Sequence, residues 1–445
     1  MSNSSLRPKS VVRALLVGAL LLLPFVKGHP SRSFPRIIVA RATAGSTLDS
    51  VAPTSTSSPE EDRQKALNRL GVDRWLAAGF RGKGVKVAIL DSGFRGYRAQ
   101  LGKALPAEVK ARSFRGDGNL EARDSQHGVL CCEVLHCLAP EAELLLANWE
   151  PDHPEQFLAA VRWARDQGAR IISCSIIMPA WSDGEGNGSV HRELRKLLGT
   201  GDSHRDALFF ASAGNVAQRH WAGRYRDEGD HLHQWETGHS DNRYTTWGTE
   251  PAAIELCWQP GCTYSLLVRD ADSGLEPARP ELHCDADGCS ASVRFMPQGK
   301  RSYNIAVRQV SGTPGSFHLT VLGGSLQFAT SSGSIPFPAD GPEIVAVGAV
   351  DEQGRRCSYS SCGPNSKMPK PDLVAVVPFS STWRSRPFAG TSAAAPQAAA
   401  LAALLWSRNS NSTAERIRDA LRGAAVDLGP PGHDCETGYG LIRLP

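Results

Sequence analysis

The sequence predicts an α/β protein, a doubly wound parallel sheet interrupted by an inserted all-β, sandwich-like module, because two different rhythms run along the chain. In the first, short apolar runs alternate with helical patterns: VKVAIL (85–90), then Leu130, Cys131, Val134, Leu135 and Leu138 at helix spacing, then ELLLANW (143–149). Pro154 opens a helix with Phe157, Leu158, Val161 and Ala164 on one face; ARIISCSII (169–177) follows, and then HRELRKLL (191–198) leads to LFFAS (208–212). Strands separated by helices of this length form a parallel sheet covered on both faces. In the second rhythm, from about Trp221 to Thr330, apolar residues recur every second position: Ile254, Leu256, Trp258; Tyr264, Leu266, Val268; Tyr303, Ile305, Val307; Phe317, Leu319, Val321. Turn-rich stretches separate these runs, the signature of antiparallel strands. The first rhythm returns at EIVAVGAV (343–350) and DLVAVV (372–377), and two helices close the chain, the last around Ala414 to Ala425. The expected organisation is therefore a leader over 1–28, a flexible linker over 29–60, a discontinuous α/β domain over 61–220 and 331–445, and a β insert over 221–330.

Composition sets the class. With 445 residues, 41% hydrophobic, 21% charged and a net charge of +4, the chain is globular, and it lacks the basic surplus of a nucleic-acid binder. Arg7, Lys9 and Arg13 precede the apolar run Ala14 to Val26, the layout of a signal peptide. The run is short for a membrane span, so membrane association is expected only if the leader stays uncleaved. Eleven cysteines suit an exported protein. Cys257 with Cys262, Cys284 with Cys289, and Cys357 with Cys362 share a spacing that can close small disulfide loops, while Cys257, Cys262, Cys284 and Cys289 together offer the alternative of a thiolate zinc site, at gaps wider than the usual knuckle.

Reactive side chains stand at the ends of regular elements. VAILDSG sets Asp91 directly after a buried strand, at the edge where doubly wound sheets form their sites. DSQHGVL sets His127 at the start of a helix, and FAGTSAAAPQAAALAALLW sets Ser392 at the start of another, among residues small enough to let a peptide backbone approach. FFASAGN sets Asn215 just past a further strand. Singly, each has a plainer use: salt bridge, surface histidine, N-cap and turn residue. Together they supply what acyl transfer requires, since a serine hydroxyl needs a base to take its proton, an acid to orient that base, and donors for the tetrahedral oxyanion.

In the order Asp, His, Asn, Ser, these segments resemble the subtilisin-like serine peptidases, with their D-[ST]-G, H-G-T, A-[GS]-N and G-T-S-x-A-x-P motifs. The resemblance runs from about Leu70 to Leu444, outside the insert. It implies a subtilisin-like fold and a secreted serine endopeptidase acting through an acyl-enzyme, with Asp91, His127 and Ser392 catalytic and Asn215 at the oxyanion. It further implies that Ser175, Ile176, Ile177, Ala213 and Gly214 form the substrate-binding strands. Three positions depart from the pattern: Val129 replaces Thr or Ser, Gln397 replaces His, and Ile177 replaces the Gly of Ser-Leu-Gly. The last narrows the specificity pocket, and it keeps open a second reading, a catalytically silent scaffold whose working surface is the insert. The leader leaves only about 50 residues before the domain, too few for the family's usual folding prodomain, so the resemblance implies folding without that chaperone.

No cofactor is required by this chemistry. Calcium is common in exported members of the family, and Asp227 to Asp230 with Glu236 and Asp241 are acidic, but their spacing matches no defined calcium loop. The expected partners are protein or peptide substrates and no nucleic acid, and the expected state is a monomer.

Overall fold

The computed structural model describes residues 58–122, 125–248, 250–365 and 369–445. The leader and most of the linker lie outside them. The linker expected to reach residue 60 gives way earlier, because Ser58 and Glu61 form a reciprocal capping box and Pro59 occupies the first turn of α1 (Pro59–Leu70). The chain continues through α2 (Val72–Ala77), β1 (Lys86–Asp91), α3 (Tyr97–Gln100), β2 (Lys110–Ser113), α4 (His127–Leu138), β3 (Glu143–Asn148), α5 (Pro154–Asp166), β4 (Ile171–Cys174), a single 3-10 turn at Pro179–Trp181, α6 (Ser189–Leu198) and β5 (Leu208–Ser212). After the insert come β15 (Ile344–Val350), β16 (Leu373–Val376), α7 (Thr391–Arg408) and α8 (Ala414–Ala424).

These seven strands form one sheet, all parallel, in the order β16-β15-β5-β4-β1-β3-β2. Alternate residues of a strand enter opposite layers. Val87 and Ile89 join the core shared with α1, α4, α7 and α8, while Ala88 and Leu90 join the core shared with α5 and α6. With both faces covered, the strands read as continuous apolar runs rather than alternating ones. The chain builds β2 and β3 on one side of β1 and then crosses to β4 on the other, so the crevice of a doubly wound sheet falls at the carboxyl ends of β1 and β4. Asp91 ends β1, and Ser175 follows β4.

The insert comprises β6 (His220–Arg224), β7 (Asn242–Thr246), β8 (Ala252–Trp258), β9 (Cys262–Asp270), β10 (Glu281–Cys284), β11 (Cys289–Phe295), β12 (Ser302–Gly312), β13 (Ser316–Leu322) and β14 (Gly324–Leu326). They make two antiparallel sheets, β10-β11-β8-β13-β6 and β14-β7-β12-β9. Ile254, Leu256, Trp258, Phe317, Leu319 and Val321 point between them and meet Tyr264, Leu266, Ile305 and Val307.

The opposite face of the five-stranded sheet is not left to water. Along β8, Ala253, Glu255 and Cys257 lie against the segment after β4: Ala253 contacts the cluster holding Ile177, Glu255 accepts from Ala180 N at 2.8 Å, and the Cys257 thiol donates to Pro179 O at 3.2 Å. On β13, His318 meets Glu185 at 3.0 Å. The sandwich is thus fastened to the α/β unit through its own outer face.

This fastening corrects the cysteine expectation. Cys284 and Cys289 sit opposite one another on β10 and β11 and are bonded, which removes two of the four thiolates of the zinc alternative. Cys257 and Cys262 are free, because β8 and β9 enter different sheets and Cys257 faces the α/β unit. Cys357 and Cys362 are also free, with Cys362 donating to Ser331 O at 3.1 Å. The acidic turn Asp227–Asp230 satisfies itself: Asp227 accepts from Gly229 N and His231 N, and Asp230 from Leu232 N. No helix among the described residues is long and apolar enough to cross a membrane.

Candidate active site

Asp91 is fully buried at the end of β1, and one of its oxygens accepts from the amide and hydroxyl of Ser92 at 2.8 and 3.2 Å. Its second oxygen meets His127 Nδ1 at 2.7 Å. That bond makes Nδ1 the protonated nitrogen and leaves the Nε2 lone pair free to accept a proton. Nε2 is buried and has no hydrogen-bond partner among the described residues. The imidazole reaches Asp91 because glycine follows it: a Cβ on Gly128 would lie 2.5 Å from the Phe94 ring and 2.9 Å from Asp91 Cβ. Phe388 packs edge-on against the imidazole, ring centres 5.4 Å apart.

Ser392 lies in the first turn of α7, after Gly390 at φ 85°, a conformation that disfavours any side chain. Residues 391 to 406 of α7 are all buried, so the helix runs through the core and its N-terminus opens on the crevice. Pro396 stands four residues beyond Ser392 and has no N–H to give it. The Ser392 carbonyl is satisfied from outside the helix instead, by the Ser175 hydroxyl at 3.2 Å and the Cys131 thiol at 3.8 Å. The Ser392 hydroxyl in turn donates to Ser175 O at 3.4 Å. Cys131 binds the group together, since its sulfur also lies 3.7 Å from the Asp91 carboxylate and 4.0 Å from His127 Nδ1. Burial and the Asp91 charge hold its thiol far above the ordinary range, in the protonated form.

Asn215 is aimed by Thr391. Its Oδ1 accepts from Thr391 N at 3.0 Å and from the Thr391 hydroxyl at 2.9 Å, so the amide nitrogen is turned toward Gly390, where a Cβ would approach it to 2.9 Å. The Thr391 hydroxyl also accepts from Gly214 N at 3.2 Å. Gly214 O accepts from Ser361 N and Ala213 N donates to Val347 O, both at 2.9 Å. Ile176 is buried in the α5/α6 core, and Ile177 is half-buried against Val216, Ala253 and Leu322. Among the departures, Val129 is fully buried, and Gln397 donates to Val376 O and Ala393 O at 3.1 and 2.9 Å.

Sequence reasoning missed Cys131, Thr391 and Phe388 as parts of this site. Cys131 left a signal, since four positions after His127 on one helix puts both on the same face. Thr391 left a weaker one, adjacency to Ser392; Phe388 left none beyond its place in the same segment.

A doubly wound parallel sheet whose switch-point crevice holds a carboxylate-paired imidazole, with a helix-borne serine joined to the same cluster through Cys131, places the protein in the class of open α/β proteins with a polar site at the strand carboxyl ends. Residues 82–230 and 246–440 match the subtilase family, Peptidase S8, and the chain belongs to it. It is 36% identical over 112 residues to the minor extracellular protease Epr of Bacillus subtilis strain 168, covering 24% of this chain and 17% of that protein. It is 35% identical over 185 residues to subtilisin amylosacchariticus of Bacillus subtilis subsp. amylosacchariticus, covering 41% of this chain and 44% of that one. The matches thus span less than two thirds of these relatives' lengths. In three dimensions the chain resembles the Clostridium perfringens CspB protease, with a TM-score of 0.61 and 15% identity over 86% of this chain and 97% of that one, a likeness of fold.

Proposed function

We propose that this protein is an exported serine endopeptidase, hydrolysing peptide bonds of protein or peptide substrates through an acyl-enzyme. The observation that carries the reading is the 2.7 Å contact of His127 Nδ1 with Asp91, with Nε2 buried and uncommitted. In the first step the Ser392 hydroxyl exchanges its long bond to Ser175 O for Nε2, gives up its proton there, and bonds to the scissile carbonyl carbon. Asp91 steadies the imidazolium that results. The oxyanion takes hydrogen bonds from Ser392 N and Asn215 Nδ2, near the positive end of α7. The tetrahedral intermediate then expels the amine, which receives its proton from Nε2, and water repeats the sequence on the ester. Neither step calls for a metal or other cofactor. Export is supported by the leader, by the Cys284–Cys289 pair and by the extracellular designation of one relative.

Casein hydrolysis and labelling by an alkyl fluorophosphonate test the reading together. The expected result is labelling that maps to Ser392 and a loss of hydrolysis on the order of 10⁶-fold in Ser392→Ala, with the melting temperature retained. Absence of labelling in the folded wild-type protein would overturn it. That outcome favours the silent scaffold, which has a specific observation in its support: Ile177, in place of the family's glycine, packs against the cluster of Val216, Ala253 and Leu322.

A further inference from the structure

The crevice beside Ser392 has two walls. One is the segment after β4, fixed to the nucleophile by the reciprocal bonds of Ser175 O with the Ser392 hydroxyl and of the Ser175 hydroxyl with Ser392 O. The other is the segment after β5, fixed to the same helix turn by the bonds of Asn215 and Gly214 to Thr391. A carbonyl carbon attacked by Ser392 with its oxygen toward Asn215 lies between these walls. A side chain on its acyl side would then face the continuation of the same two segments, two residues beyond Ser175 and one beyond Asn215. There Ile177 packs against the cluster that Val216 forms with Ala253 and Leu322 of the insert.

The closure is rigid. Ala253 and Leu322 are register partners on β8 and β13, Leu322 O accepts from the Tyr244 hydroxyl at 2.7 Å, and Val216 N is held by Ser361 at 3.2 Å. Beneath Asn215, the Arg219 guanidinium donates to Asn215 O and stacks on Trp247 at 4.9 Å. Ile177 is β-branched and stiff at χ1, so it cannot fold aside against a backing that is itself a sheet.

We infer that Ile177, braced by Ala253 and Leu322 of the inserted sandwich, is the specificity-determining residue and restricts the acyl-side residue of the cleaved bond to glycine, alanine or serine. The inference rests on the peptidase reading and deepens it. It also gives the insert a function, since the sandwich supplies the back of the specificity pocket.

The test uses two tripeptidyl diphenyl phosphonates, identical except that the reacting unit is the alanine or the phenylalanine analogue, with labelling of Ser392 followed by mass spectrometry. In the wild-type protein the alanine probe reacts at least about tenfold faster, the discrimination a pocket too small by a few carbons provides. Ile177→Gly and Ile177→Ala lower that ratio at least about tenfold, and Leu322→Ala lowers it less and in the same direction. Ile177→Val, which removes a single methylene, lowers it detectably and serves if the smaller variants do not fold. A wild-type ratio near one, a preference for phenylalanine, or a ratio unchanged in Ile177 variants that melt like the wild type overturns the inference. If the alkyl fluorophosphonate labels Ser392 while the ratio is flat, this inference alone fails; if that probe leaves Ser392 untouched, the peptidase reading fails and takes the inference with it.

Discussion

The parallel sheet and the inserted sandwich bury their residues by different rules. In β5 and β15 every residue is buried and nearly all are apolar, because helices cover both faces. In β8 every residue is buried too, yet only the inner face is uniformly apolar; the outer one carries Glu255 and Cys257. Those polar groups survive burial because each is answered: Glu255 by Ala180 N of the α/β unit and by Arg294 of the neighbouring strand β11, and Cys257 by Pro179 O of the α/β unit. The lesson is that polarity on an alternating strand does not mean solvent. The insert is docked by hydrogen bonds of defined geometry, which is how a module inserted just after Asn215 can hold a fixed position beside the site.

The sharpest break between the two regions comes from Asp91→Asn. It removes the charge and the tautomer control at His127 while touching nothing in the insert, so kcat for casein falls on the order of 10⁴-fold and the melting temperature stays near that of the wild type. Next in size is Glu255→Ala. Arg294 then loses its bidentate partner and keeps Asp152 at 3.0 Å, and Ala180 N loses its acceptor. The expected cost is about 3 kcal/mol, read by denaturant unfolding. A loss confined to stability would mean that the docked face acts as a brace alone, whereas an accompanying shift in labelling selectivity would tie it to the pocket.

A third prediction concerns pH. His191 on α6 is fully buried with Nε2 2.9 Å from Asp340 and Nδ1 2.6 Å from Glu343. Burial alone would discharge the ring, but the two carboxylates outweigh it and raise its pKa to about 9. The facing groups also include Ser182 and Gly186 N on Asp340 and Arg195 on Glu343. Because the folded value lies above the ordinary histidine value, the stabilisation is complete below about pH 6.5 and is lost as pH rises through about 9. The melting temperature should therefore fall between pH 7 and 10, and His191→Gln should remove that part of the slope. The α/β unit carries this network, so the insert should not loosen first.

Much of this was legible in the sequence, and the reason divides along the same line. VAILD, FFAS and IVAVGAV announce a covered parallel sheet by uninterrupted apolarity, and Asp91, His127, Asn215 and Ser392 stand at element ends where a crevice must form. Period two announced the insert. What period two cannot show is which structure faces the polar side of a strand, so the docking of Glu255 and His318 was invisible. The same blind spot misled the cysteine pairing: spacing put Cys257 near Cys262, whereas the fold sends β8 and β9 into different sheets. The bonds of Ser175 to Ser392 span 217 positions, and the one to the Ser392 carbonyl answers a missing N–H at Pro396, which no local pattern expresses.

The smallest expected effect lies at the far side of the insert and sets the floor of the comparison. Asp227 and Asp230 are exposed, and their carboxylates cap the backbone of their own turn rather than any group of the α/β unit. Asp227→Ala and Asp230→Ala should each move the melting temperature by no more than about 2 °C, the usual scale for exposed substitutions away from buried networks, with no change in casein hydrolysis. Chelation with EDTA should shift it as little, since one oxygen of each carboxylate already accepts from the turn's own backbone, at Gly229 N, His231 N and Leu232 N. A drop of several degrees on chelation, abolished by Asp227→Ala, would instead make this turn a cation site and give the distal edge of the sandwich a part in stability that its hydrogen bonds do not suggest.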